Sequence, residues 1–329
     1  MTAMPEPLAP PPMPTPGAAA TQAPRLEAAG VSRWYGQVIG VQGVDCTVGP
    51  GITGLLGLNG AGKSTLFKLL AGQLRPSKGV VRVFGHDLAK NRGLYRRIGF
   101  CPEPDALYEF MTGREMLVYL LRLQGFDGKE AARRAADALE RCHLSDAADR
   151  RVAGYSKGMR QKIKLAQAMA HDPDILFLDE PFNGMDPPSR HESMEVVRQL
   201  GREGKVVMLS SHILHEVEAM TSTILLMQNG RILAEGHISD IRDLIERHPH
   251  KVRIECDRPR TLAAHLLDGD DVLGVRVESE KSVIIETNLP RRFFRRLPQV
   301  VLDQDLKVHS YSTLDDNLKS LFEYLVEGN

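Results

Sequence analysis

Residues 155–186 read YSKGMRQKIKLAQAMAHDPDILFLDEPFNGMD, and the order of features in that stretch decides the fold. A Ser-x-Gly turn, Ser156 and Gly158, precedes a basic and apolar segment of helical period. A helix start presents free backbone N–H groups and the positive end of its dipole, where a phosphate can meet them. Four apolar residues, Ile175 to Leu178, then carry Asp179 and Glu180 to the end of a strand that reads as buried on both faces. Chemistry in an α/β sheet collects at such strand ends, so the pair is placed for a metal-linked carboxylate and a base. The plainer alternative is an Asp-Glu pair that caps a helix ahead of Pro181.

Working upstream, GLNGAGKS at 57–64 fits the GxxxxGK[ST] pattern between a strand at 52–57 and a helix at about 62–71 that Gly72 is placed to end. Gly57, Gly60 and Gly62 permit a loop, completed by Asn59 and Ala61, whose N–H groups wrap phosphate oxygens. Lys63 neutralises the β and γ charge, Ser64 reaches Mg²⁺, and Thr65 meets the α-phosphate. A glycine loop that only caps a helix is the structural alternative, and the downstream Asp-Glu strand weighs against it. Downstream, a buried strand at 206–210 ends in Ser210-Ser211-His212, which brings His212 to the same phosphate site. A lone histidine is more often structural, so it is the position that carries this assignment.

The rest of the chain frames these motifs. Its 329 residues suffice for one large domain and a small one, and 42 basic against 42 acidic residues give no global pull toward nucleic acid. No stretch approaches the roughly 18 uninterrupted apolar residues of a membrane helix. Cys46, Cys101, Cys142 and Cys256 lack metal or disulfide spacing and read as ordinary thiols. Eight of the 20 prolines fall in the first 24 residues, so 1–25 is expected to be a disordered tail and not a secretory signal. Strands are expected at 26–31, 38–48, 80–84 and 97–101, and helices at 111–123, 129–141 and 187–201. Runs at 224–227 and 231–235 flank Asn229-Gly230, a type I′ hairpin signal. A helix at 238–247 closes the first domain at His248-Pro249-His250. Beyond it, strand 251–256, helix 260–267, strands 272–278 and 282–287, helix 290–297 and strand 304–310 make a βαββαβ order, that of a ferredoxin-like sandwich. A last amphipathic helix covers 314–326. The run Arg291-Arg292-Phe293-Phe294-Arg295-Arg296 reads as a short helix with aromatics inward and arginines solvated, with a membrane or nucleic-acid patch as the alternative.

The glycine loop, the Ser156 turn, the Asp179-Glu180 strand, Asp186 and His212, in this order, resemble the ATP-binding subunit of ABC transporters over roughly residues 26–240. The resemblance implies an α/β fold: a P-loop ABC ATPase domain over 26–247, with a mixed sheet and a helical subdomain at about 105–170, and an accessory α+β domain over 248–329. It implies ATP and Mg²⁺ as cofactors. Asp179 would hold the metal directly or through water, Glu180 would polarise the attacking water, and His212 would contact the γ-phosphate. Tyr35 in Trp34-Tyr35-Gly36 stands where such subunits stack an aromatic on adenine, with Trp34 as core or alternative platform. Ser156 and Gly158 would meet the γ-phosphate held by a second subunit, and Asp186 would sit between the two sites, which implies a head-to-tail homodimer or heterodimer with two nucleotides.

Two departures narrow the group. The family's LSGGQ turn is Tyr155-Ser156-Lys157-Gly158-Met159 here, and Glu103 occupies the place of a glutamine that senses Mg²⁺ and the membrane partner. Both variants, and the Leu314-Asp315-Asp316 segment, resemble ABC-2 type exporter subunits for drugs, sodium or polysaccharides. The implied partner is an integral membrane permease, with the chain cytoplasmic and peripheral on the inner face of the cell membrane, and no nucleic acid. The rival readings are a soluble ABC-type ATPase acting on DNA or ribosomes, and a module that binds without hydrolysing.

Overall fold

The computed structural model describes residues 25–238 and 250–313. The tail before residue 25, nearly all of the helix expected at 238–247, and the closing helix with Leu314-Asp315-Asp316 lie outside the described residues. The first unit opens with β1 (Leu26–Tyr35), β2 (Val38–Val48) and β3 (Gly51–Leu56), followed by α1 (Lys63–Leu70), β4 (Lys78–Val83), β5 (His86–Asp87) and β6 (Ile98–Cys101). Three helices come next, α2 (Gly113–Leu123), α3 (Gly128–Arg141) and α4 (Lys157–Met169). The unit ends with β7 (Ile175–Asp179), α5 (Pro187–Arg202), β8 (Val206–Ser211), α6 (Leu214–Glu218), β9 (Thr223–Gln228) and β10 (Arg231–His237).

Its central sheet has the order β10-β9-β3-β8-β7-β6. The five strands from β9 to β6 are parallel, and β10 joins the edge antiparallel, so the sheet is mixed. Continuous apolar runs explain the parallel part, because such strands bury both faces. Successive residues alternate between faces. Leu55, Ile175, Phe177 and Met208 join a core with α1 and a second, antiparallel sheet of order β2-β1-β4-β5. Leu56, Leu176, Leu178 and Leu209 face the other core, shared with α2, α3 and α4. Phe67 and Phe177 anchor the first core with ring centroids 5.5 Å apart.

Local chemistry moves several boundaries from those expected. α2 begins after Thr112, whose hydroxyl accepts the Glu115 N–H while Glu115 returns a bond to the Thr112 N–H, so Met111 falls outside the helix. Asp127 caps α3 by accepting the Glu130 N–H. The Asn229-Gly230 turn has φ of 47° and 78°, as a type I′ hairpin requires.

The second described unit runs β11 (His250–Cys256), α7 (Pro259–Leu267), β12 (Gly274–Val277), β13 (Ser282–Thr287), α8 (Pro290–Asp303) and β14 (Val308–Thr313). The strands form one antiparallel sheet of order β12-β13-β11-β14. The element order is the expected βαββαβ. α8, however, runs six residues past its expected end, through Pro298. A proline removes one backbone bond from a helix interior, but Phe293, Leu297, Val300 and Val301 keep a continuous apolar face against the sheet. The last strand is displaced to 308–313 because Asp305, at φ 47°, turns the chain and the Leu306 N–H bonds back to Val301. Phe293 is fully buried while Arg291, Arg292 and Arg295 are exposed, so three of the four arginines form the solvated face of a helix; Arg296, expected with them, instead turns inward to the buried Asp271 and the Leu266 carbonyl.

Candidate nucleotide site

The phosphate loop leaves β3, and backbone contacts at its glycines show why side chains are missing there. A Cβ on Gly57 would lie 2.6 Å from the Met227 carbonyl oxygen, and one on Gly62, at φ 104°, would lie 2.5 Å from the Gly40 carbonyl oxygen. The hairpin turn secures the loop from the other side, because the Gly230 N–H donates to the Ala61 carbonyl at 2.8 Å. The result is a cavity of about 560 Å³. Asn59, Gly60, Ala61, Gly62, Lys63, Ser64 and Thr65 line its floor, and Tyr35, Glu103 and Glu180 line it from other elements. Of the two aromatics at 34 and 35, Tyr35 lines the cavity and Trp34 does not. Tyr35 rests on Gly40, where a Cβ would come within 2.8 Å of its ring, and the Arg33 guanidinium lies 5.1 Å from its centroid.

Charge is concentrated at one end of this cavity. Lys63 is buried, donates to the Gly57 carbonyl at 2.8 Å and lies 3.4 Å from Glu180 Oε1. Glu180 follows β7 at φ 47°, a left-handed conformation that costs a non-glycine residue about 1 kcal/mol or more. That turn sends its carboxylate into the cavity wall with only 7% of the residue exposed. Burial pushes its pKa up, and the opposing hydrogen bond from His212 and attraction of Lys63 do not fully reverse it. His212 Nδ1 lies 3.0 Å from Glu180 Oε2, while Oε1 accepts no hydrogen bond. A carboxylate with one oxygen held by a histidine and the other facing a phosphate loop suits a general base.

Asp179 is not a lining residue. It is 2% exposed, and its Oδ1 accepts from the Ser210 hydroxyl at 2.6 Å. The same hydroxyl oxygen accepts the Glu180 N–H at 3.0 Å. Ser210 therefore fixes both acids, a role that nothing in the sequence pattern singles out. Val38, Ile39 and Gly40 are likewise lining residues beyond those expected.

Ser156, Gly158 and Asp186 form a second surface that does not line this cavity. Ser156 caps α4, accepting from the Met159 N–H at 3.3 Å. Asp186 caps α5 through the Ser189 N–H at 3.0 Å, and its hydrogen bonds from Ser189 hold its carboxyl below the ordinary range. Gly158 packs beside Asp186 and Ser189, and Lys157 lies across Gly184. The expected site residues thus fall into two groups.

Among the described residues, no cluster of three or more His, Cys, Asp or Glu side chains could by itself hold a metal ion. Mg²⁺ does not need one, since it keeps several waters and takes one or two protein oxygens beside phosphate. The Ser64 hydroxyl and the Glu103 carboxylate on the cavity, with Asp179 behind it, fit such an ion.

The ABC transporter family model matches residues 41–183. The daunorubicin/doxorubicin resistance ATP-binding protein of Streptomyces peucetius is 34% identical over 300 residues, which cover 90% of this chain and 91% of that protein. The ABC transporter ATP-binding protein NatA of Bacillus subtilis (strain 168) is 39% identical over 204 residues, 61% of this chain and 83% of that one. A solved ATP-binding subunit of an ABC transporter superposes with a TM-score of 0.61 at 32% identity, covering 67% of this chain and 92% of its own. With such a relative matched over 90% of its length, and with its phosphate loop, buried Glu180 and separate serine turn arranged in this way, the chain belongs to the ABC transporter family, among its ATP-binding proteins.

Proposed function

We propose that this chain hydrolyses Mg·ATP to energise an exporter of the ABC-2 group, working as a dimer beneath a separate membrane permease. The observation that carries the reading is Glu180, buried at the cavity wall, with one oxygen tied to His212 and the other beside the Lys63 ammonium of the phosphate loop. In this role Lys63 and the loop N–H groups bind the β- and γ-phosphates, Tyr35 stacks on the adenine, and Glu180 takes the proton of the attacking water. Bound Mg²⁺ would neutralise phosphate charge, held by Ser64 and Glu103 with Asp179 contributing through water. The Ser156 turn, with Gly158 and Asp186, completes the cavity of a second subunit, so that ATP stabilises the closed dimer by mass action. Among the described residues, no helix is long and apolar enough to cross a membrane; in this reading the transported molecule meets the permease. Five residues beyond Glu103 begin three exposed aromatics, Tyr108, Phe110 and Tyr119, whose rings meet edge to face at 6.1 Å, and this patch is the contact we assign to the permease.

The test is Glu180→Gln. Loss of a positioned base lowers turnover by about 10² to 10⁴, while ATP binding, measured by fluorescent-nucleotide titration, stays within about twofold because the phosphate loop is unchanged. Wild-type turnover in that variant would remove the assignment.

A further inference from the structure

Lys164 lies in the middle of α4 and is 1% exposed, among the most deeply buried polar side chains of the chain's described residues. Its ammonium has three donors, and all three are used. It bonds the Pro102 carbonyl at 2.9 Å, the Glu103 carbonyl at 2.8 Å and Asp105 Oδ1 at 3.2 Å. One turn earlier, Arg160 reaches the same loop, with Nε on Asp105 Oδ2 at 2.9 Å and Nη2 on Glu109 Oε1 at 2.7 Å. Partial burial pushes the Asp105 carboxyl up, and the bonds from Arg160 and Lys164 more than reverse this, leaving it below its ordinary value. Loop 102–109 is thus bound to one helix at several points.

This arrangement exceeds what packing demands. An apolar side chain of similar length would fill the space without the cost of desolvating an ammonium, but it could not grip two consecutive carbonyls. The residue between those carbonyls and the cavity is Glu103. Its side chain is exposed and lines the nucleotide cavity, so its reach is set by its backbone. Eight residues before Lys164, about 12 Å along the helix axis, Ser156 caps the same helix on the other functional surface.

We propose that Lys164 is a positioning residue for ATP hydrolysis. By pinning the Pro102 and Glu103 carbonyls to α4, it makes the Glu103 carboxylate and the Ser156 turn move as one body, so that the state of this chain's own metal-nucleotide site is felt at the neighbouring one. The proposal rests on the reading that the cavity binds Mg·ATP and that Ser156 serves a second site.

Lys164→Met keeps length and volume and removes the three donors. Without Mg²⁺, the affinity for a fluorescent ATP analogue should stay within about twofold, because the phosphate loop is untouched. The tightening of that affinity by Mg²⁺ should fall about three- to tenfold, KM for Mg·ATP should rise by no more than that factor, and kcat should drop roughly tenfold. Glu103→Ala should lose the same Mg²⁺ effect, and the double variant should lose no more than either single, since two residues acting through one contact are not additive. Asp105→Asn, which weakens the same clamp, should give the same pattern in smaller degree should Lys164→Met not fold. Leu139→Ala, a core deletion in α3, should lower thermal stability without moving the Mg²⁺ dependence. A wild-type Mg²⁺ effect in both clamp variants, or losses that add in the double variant, would overturn the proposal. A wild-type protein lacking Mg²⁺-dependent ATPase activity would instead remove the functional reading beneath it.

Discussion

A hydroxyl at the end of β8 organises the two acids at and just past the end of β7, donating to Asp179 and accepting from the Glu180 backbone. Both groups are buried, so Ser210→Ala orphans an acceptor and a donor at once. Each orphaned buried group costs about 1–3 kcal/mol, so the urea midpoint should fall by an amount corresponding to roughly 2 kcal/mol or more, with turnover falling at least about tenfold as Glu180 loosens. Lys63, Glu180 and His212 were legible in the sequence because their spacing along strand and turn is itself the signal. Ser210 was not, because a serine ending a strand is ordinary, and its function arises only when β8 lies beside β7 in register with Asp179. The same holds for Lys164, which reads in sequence as one more basic residue in a basic helix.

Helix α3 shows what local chemistry adds within one element. Glu130, in its first turn, is pulled down to about 2 by hydrogen bonds from Arg133 and Arg134. A depressed folded pKa contributes stability above the ordinary value of 4.5, and that contribution is lost as pH falls toward about 2. Glu130→Gln should therefore melt below wild type at pH 7, by a margin that shrinks through this acid window. Because the pair is exposed, 0.5 M salt should shrink it as well. Element types were largely legible, and so was the β9–β10 hairpin, since Asn-Gly specifies its own turn. Boundaries were less so. Caps at Thr112 and Asp127 act over three residues and outweigh the apolar period used to place the helices. The path of α8 through Pro298 depends on a sheet face that no local signal announces.

At the scale of the whole molecule, the separation of the Ser156 surface from the cavity predicts nucleotide-dependent assembly. Glu180→Gln with Mg·ATP should sediment as a dimer, and the same protein without nucleotide as a monomer. Adding Ser156→Arg should abolish the dimer while leaving ATP binding by the single chain unchanged, and a dimer that survives it would place the contact elsewhere. The sheet order has one more consequence. The strand that launches the phosphate loop, β3, is flanked by β8 and β9, and the loop itself is fastened by Gly230. During synthesis, then, the loop emerges early, but its strand gains its first sheet neighbour only with β8, near residue 211, and the second neighbour and the fastening only once about residue 230 has left the ribosome. Closing so long a segment carries an entropic cost that only the finished pairing offsets. Nucleotide capture is therefore expected late in the life of the nascent chain, and a chain ending before β9 should not retain ATP.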